Sequence, residues 1–155
     1  CSASPMPIGL GEPFFDSVES LIGHAILSTP AVKGIEFGSG FEAARMLGSE
    51  HNDVIINQKG TTKTNNAGGI NAGITNGNDL YFRIVVKPTS SIEKTQKTFN
   101  FKTNKIEEVS VTGRHDACIA LRVPVIVEAV TALVLADLYL LERKAYGSQR
   151  PAKKY

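Results

Sequence analysis

Val123 to Leu141 reads VPVIVEAVTALVLADLYLL, the most apolar stretch of the 155 residues. It is about long enough to cross a bilayer. Glu128 and Asp137 argue against that, because an acid near the membrane midplane is costly to insert. The segment is therefore expected to be a buried helix, begun by Pro124 and packed against a sheet or a second subunit. That choice sets the fold class. The upstream strands then need a helical cover, which makes the chain α+β: helices covering a mostly antiparallel sheet.

The segments upstream agree. Between Phe14 and Leu27, Phe14, Phe15, Val18, Leu21, Ile22, Ala25 and Ile26 recur at helical spacing, with Pro13 to start the helix and Pro30 to stop it. Residues 31–37 are β-branched at Val32 and Ile35 and read as a strand. Ser39-Gly40-Phe41-Glu42 has the capping-box pattern and opens a short helix that Gly48 ends. Leu80 to Val86 is a second strand. Thr98–Phe101 and Glu107–Val111 are expected to pair across Thr103-Asn104-Lys105.

Between these elements, residues 49–79 are polar and glycine-rich, with asparagine at 52, 57, 65, 66, 71, 76 and 78. A loop of that length inside a compact domain is functional or disordered. Without a ligand it has little apolar surface to offset its ordering entropy, so it is expected to be mobile.

Length and charge narrow the function classes. A chain of this size can bury ~70% of its unfolded surface in one core, which excludes wholesale disorder. The 42% apolar and 21% charged content is ordinary for one domain. Five of the 17 cations fall in residues 143–155, which contain no acid, leaving 12 cations against 15 acids in residues 1–142. A basic, flexible tail on a mildly acidic body gives little support for a nucleic-acid face. Cys1 and Cys118 form neither a disulfide framework nor a zinc site, which points to a reduced, intracellular protein. No signal peptide is visible, and a first residue other than Met marks a fragment or a processed product.

Four motifs carry possible chemistry. Gly38-Ser39-Gly40-Phe41-Glu42-Ala43 matches a dinucleotide-binding G-x-G-x-x-A, so an NAD-type binding module is one alternative. Its helix is short, however, and no acid ends a second strand about 20 residues on, which favours a plain strand-to-helix turn. Asn65 to Ile74 brings small residues and backbone amides together, either as a flexible loop or as a surface a ligand can approach closely. Lys87-Pro88-Thr89-Ser90-Ser91 sets a cation and three hydroxyls at a strand end, a donor set for an anion, though on sequence alone a solvated turn with Ser/Thr capping is favoured. Arg114-His115-Asp116 joins a phosphate-binding group to two proton-moving ones; the plain alternative is an Arg114–Asp116 ion pair closing a turn. His24 reads as a packing residue and His51 as ambiguous. A purely structural or assembly domain, with the 123–141 helix as an interface, is the other alternative.

In this order the pieces resemble chorismate synthase. The resemblance runs through Gly9-Leu10-Gly11-Glu12-Pro13, Ala31-Val32-Lys33-Gly34, Gly40-Phe41, Ala44-Arg45-Met46 and Gly48-Ser49-Glu50-His51-Asn52-Asp53. It continues with Asn66-Ala67-Gly68-Gly69-Ile70, Lys87 to Ser91 and Gly113 to Asp116, and closes with Val127-Glu128-Ala129 and Leu133 to Asp137. It covers residues 8–142 and matches only the C-terminal part of a longer family chain. The family's N-terminal motifs, an active-site histidine and a cluster of arginines among them, have no counterpart here. Ala117 stands where Pro is usual, Leu47 where Arg is common, and Asn71-Ala72 where Leu-Gly is common.

The resemblance implies residues 1–142 as the C-terminal portion of a β-α-β sandwich, followed by the tail 143–155. It implies anti-1,4-elimination of phosphate from 5-enolpyruvylshikimate 3-phosphate to give chorismate, with reduced FMN and no net redox change, in aromatic amino-acid biosynthesis. Carried over by motif, Pro30, Ala31, Ala72, Lys87, Pro88, Thr89, Ser90, Ser91 and Arg114 are the flavin-site residues. Pro30-Ala31 and Ala72 would act mainly through backbone. Arg114 also faces the substrate, and Asp116 relays the proton. A cytoplasmic homotetramer is implied, with no metal, nucleic acid or membrane. Whether NADPH or an external reductase keeps the flavin reduced stays open.

Overall fold

The computed structural model describes residues 1–146. Its central sheet has three strands in the order β1 (Ser2–Ala3), β5 (Leu80–Val86), β2 (Val32–Phe37), all antiparallel. Alternation along β5 points Leu80 and Phe82 into the core and leaves Tyr81, Arg83 and Val85 outward. Phe37 pairs with Phe82 at the start of the register and Val32 with Val86 at its end, with an irregularity between Val32 and Gly34.

Helix α1 (Val18–Leu27) lies over this sheet. Val18, Ile22 and Ile26, spaced by four, are fully buried against Leu80, Phe82 and Val32. The helix starts later than its apolar periodicity predicts. Ser17 is the N-cap, its Oγ accepting Ser20 N–H at 3.1 Å, while Phe14 to Asp16 form a separate 3-10 turn. Phe14 and Phe15 are 87% and 91% exposed, so they match the spacing without sharing the core. His24, read as a packing residue, is exposed near the helix C-terminus.

Helix α3 (Val123–Tyr146) packs on α1 and buries Val123, Val127, Thr131 and Leu138. The expectation of a buried helix holds for this one face only. Val125, Ile126, Leu133, Leu140 and Leu141 lie on its exposed remainder. Ile119–Ala145 is long and apolar enough to cross a membrane by length and composition. The helix also continues to Tyr146, into the segment read as tail; residues 147–155 of that tail lie outside the described residues.

The capping-box pattern at Ser39 gives no α-helix. Gly40–Arg45 is a 3-10 turn, followed by the single-turn helix α2 (Gly48–His51). The Ser39 hydroxyl instead donates to Asn66 Oδ1 at 2.7 Å. The long polar loop contains the two-residue strands β3 (Ile70–Asn71) and β4 (Ile74–Thr75). Its path is set largely by hydrogen bonds between side chains and backbone, with Ile70 the residue it contributes to the hydrophobic core. Strands β6 (Gln96–Asn100) and β7 (Lys105–Val109) form a hairpin sheet of their own, two residues off the predicted bounds, with Asn104 at φ 56° in its turn.

Candidate functional site

The end of β5 gathers most of the residues singled out above. Lys87 N–H donates to the Ala31 carbonyl at 2.8 Å, which places Pro30-Ala31 beside Lys87. Pro88 lacks an N–H and ends the ladder there. One residue on, the Thr89 hydroxyl donates to the Asp116 carbonyl at 3.2 Å, joining the Gly113–Asp116 turn to the same edge. The side chain of Asp116 does not pair with Arg114. Its Oδ1 accepts from Arg122 Nη2 at 2.9 Å, and among the described residues nothing donates to Oδ2. The ion-pair alternative for the turn is thus corrected: the partner is Arg122, brought back by the 3-10 turn Ile119–Arg122. Side-chain exposures of 75% and 43% keep this pair weak, of the order of 0–1 kcal/mol.

Lys87 and Arg114 have no anionic partner among the described residues, and both are exposed. Val85 and Val86, just before Lys87, line an open, mostly apolar groove of about 470 Å³ with Val123, Pro124, Val127 and the acid Glu128. That is within the usual range for a small-molecule pocket. An open edge with two free cations, free hydroxyls on Ser90 and Ser91, and an apolar recess alongside is suited to an anionic, partly aromatic ligand.

Ala72 lies elsewhere. It occupies the turn between β3 and β4, next to Gly73, whose carbonyl accepts Val18 N–H at 2.9 Å at the start of α1. Ala31 follows the end of α1. One helix length, roughly 15 Å for ten residues, therefore separates the two alanines. Both adopt left-handed backbone, φ 50° for Ala72 and 70° for Ala31. At Ala72 this carries strain, because a β-hairpin turn with two positive φ values disfavours a Cβ. We expect Ala72→Gly to stabilise the protein by about 0.5–1 kcal/mol, part of the relieved strain being returned through a more flexible unfolded chain. A melt should show Tm rising by ~2–4 °C. A lower Tm would show that the turn is unstrained.

The dinucleotide reading of Gly38-Ser39-Gly40 is corrected by what fills the turn. Glu36 Oε2 accepts Phe41 N–H at 3.0 Å, so a carboxylate occupies the position a pyrophosphate would need. A Cβ on Gly38 would collide with the Asn66 carbonyl, and one on Gly40 with the Glu36 side chain. No α-helix follows to supply a dipole, and β2 pairs antiparallel with its neighbour.

Two residues to which the sequence reading assigned no role make specific contacts: Arg122 (with Asp116) and Asp53. Asp53 Oδ1 accepts Thr64 Oγ1 at 2.7 Å and Asn66 N–H at 2.8 Å, and Oδ2 accepts Ala67 N–H at 2.9 Å. Burial pushes its pKa up, but the bonds from Ala67, Asn66 and Thr64, with the nearby His51 charge, outweigh this and hold it below the ordinary value. A lowered folded-state value means a contribution to stability that is present above the unfolded pKa and lost as pH falls through the folded one. An isolated acid at the entrance of an asparagine-rich loop was the available signal.

The family model for chorismate synthase matches residues 1–140. A chorismate synthase of Chitinophaga pinensis is 63% identical over 145 residues, which is 94% of this chain and 44% of that protein. Another, of Archaeoglobus fulgidus, is 49% identical over 142 residues, 90% of this chain and 39% of that one. A crystal structure of chorismate synthase superposes with a TM-score of 0.71 at 31% identity, covering 91% of this chain and 36% of the other. The chain thus spans less than half the length of these relatives.

Proposed function

The chain belongs to the chorismate synthase family, and from that membership we propose that it forms the C-terminal part of an enzyme eliminating phosphate from 5-enolpyruvylshikimate 3-phosphate to give chorismate. One observation carries the reading. Lys87 and Arg114 are exposed and form no ion pair among the described residues, and the Thr89–Asp116 hydrogen bond joins their two segments beside a groove lined by Val85, Val86 and Glu128. That donor set fits a flavin mononucleotide, which joins a phosphate to a flat aromatic ring.

In this reading, Lys87 and Arg114 hold phosphate through charge-assisted bonds. The Thr89 hydroxyl is engaged with the Asp116 carbonyl, so Ser90 and Ser91 are the hydroxyls left to donate. Reduced FMN, when bound, supplies electron density to a reaction with no net redox change. Asp116 holds the departing proton at Oδ2, the oxygen left open by Arg122 at Oδ1. Arg122 fixes the carboxylate's direction. Backbone at Pro30-Ala31 and Ala72 meets the cofactor, and the left-handed conformation at both alanines supports that use.

The remaining partners are the rest of the parent chain and further copies in a homotetramer. The exposed apolar side of α3 supports such packing. The cytoplasm is the compartment we assign. Anaerobic incubation of the complete protein with reduced FMN and substrate should release one phosphate per chorismate formed. No phosphate release from folded, flavin-loaded protein would overturn the proposal.

A further inference from the structure

We infer that Asp53 is a positioning residue for the Ala72–Gly73 turn, acting through the strap of residues 64–67; its bearing on flavin rests on the reading above that this turn meets FMN. Both carboxylate oxygens are used, and all three donors come from the strap: Thr64, Asn66 and Ala67. The strap is then tied by further hydrogen bonds through Asn66, whose Oδ1 also accepts the Ser39 hydroxyl. Its Nδ2 donates to the Glu50 and His51 carbonyls at 3.2 and 3.1 Å, and its carbonyl accepts Ser39 N–H at 2.9 Å. These ties leave the strap one position relative to α2 and to the Gly38-Ser39 turn.

From the strap the order passes along the chain to Ala72. The Ala67 carbonyl accepts Ile70 N–H at 3.4 Å, the Gly68 carbonyl accepts Tyr81 N–H at 3.1 Å, and the Gly69 carbonyl accepts Asn76 N–H at 3.0 Å. Ile70 is 3% exposed and anchors β3 in the core. The Ala72–Gly73 turn hangs between this anchor and the first turn of α1. Asn at position 53 would keep the shape but replace one acceptor by an NH₂ facing a backbone N–H. One charge-assisted bond would be lost and a donor left opposed to a donor.

The test uses the full-length protein. Asp53→Asn should raise amide exchange across residues 66–73 in the absence of flavin. It should weaken FMN binding, followed by fluorescence titration, by about tenfold, the equivalent of one charge-assisted hydrogen bond. Because the turn contacts cofactor through backbone and takes no part in proton transfer, kcat at saturating FMN should stay within a few-fold while KM for FMN rises. A role confined to stability would lower Tm and leave FMN affinity alone, and that pattern overturns the inference. Thr64→Val removes a single bond to the same carboxylate and serves if Asp53→Asn does not fold; unchanged exchange and affinity there also overturn it. A parent protein that binds no FMN fails at the wild-type control, which refutes the flavin reading and this inference with it.

Discussion

The 155-residue chain by itself is expected to give no measurable chorismate from 5-enolpyruvylshikimate 3-phosphate. It spans 44% or less of the relatives named above, and its anion edge is open to water on the surface. On the proposed reading Lys87 and Arg114 hold a phosphate there, yet nothing among the described residues closes over a substrate to fix its reacting carbon against a base. Positioning alone can be worth ~7–11 kcal/mol of a barrier, and at 1.36 kcal/mol per tenfold its loss removes about five to eight orders of magnitude. The assay is anaerobic, with photoreduced FMN, on protein whose intact mass confirms 155 residues. Turnover at an ordinary enzymatic rate would refute the expectation and require a second, self-sufficient site in this chain.

In the complete enzyme, Asp116→Asn should lower kcat by ~10²–10⁴-fold, the usual contribution of a positioned acid–base group. KM and FMN affinity should change little, because the amide keeps the shape and can still accept from Arg122. Arg114→Ala should do the opposite, weakening flavin and substrate binding together. Neither variant should shift Tm by much: Arg114 has no partner among the described residues, and the Arg122–Asp116 pair is exposed. Asp116→Asn turning over within a few-fold of the parent would remove the proton role.

The antiparallel strands 32–37 and 80–86 were legible because β-branched residues in short alternating runs have few other uses. The meeting of Lys87–Ser91 with Gly113–Asp116 was legible only through family resemblance, since spacing alone does not bring positions 89 and 116 together. Two misreadings and one discarded alternative share one cause: a local pattern was credited with a partner that tertiary structure supplies from elsewhere. Phe14 and Phe15 match the helical period of α1, yet periodicity counts apolar residues whether or not anything covers them. Ser39 has the sequence of a cap, but Asn66 competes successfully for its hydroxyl. The plain alternative for Asp116, an ion pair with Arg114, went by proximity in the chain, whereas the turn at residues 119–122 presents Arg122. The loop at 49–79 was read from its scarcity of apolar residues. Composition cannot show that one carboxylate organises three donors of its strap.

The two-sided helix α3 also bears on how this protein is made. It is the last described element to leave the ribosome, and until α1 covers one side it is a long, nearly uninterrupted apolar segment available to chaperones and to the membrane-insertion machinery. Glu128 and Asp137 make no ion pair among the described residues, so they add little to the finished fold. Their effect falls earlier. An acid at the centre of an inserting helix is disfavoured by up to about 2.5–3.5 kcal/mol, and two of them astride the middle of α3 bias the newborn chain toward folding and away from the translocon.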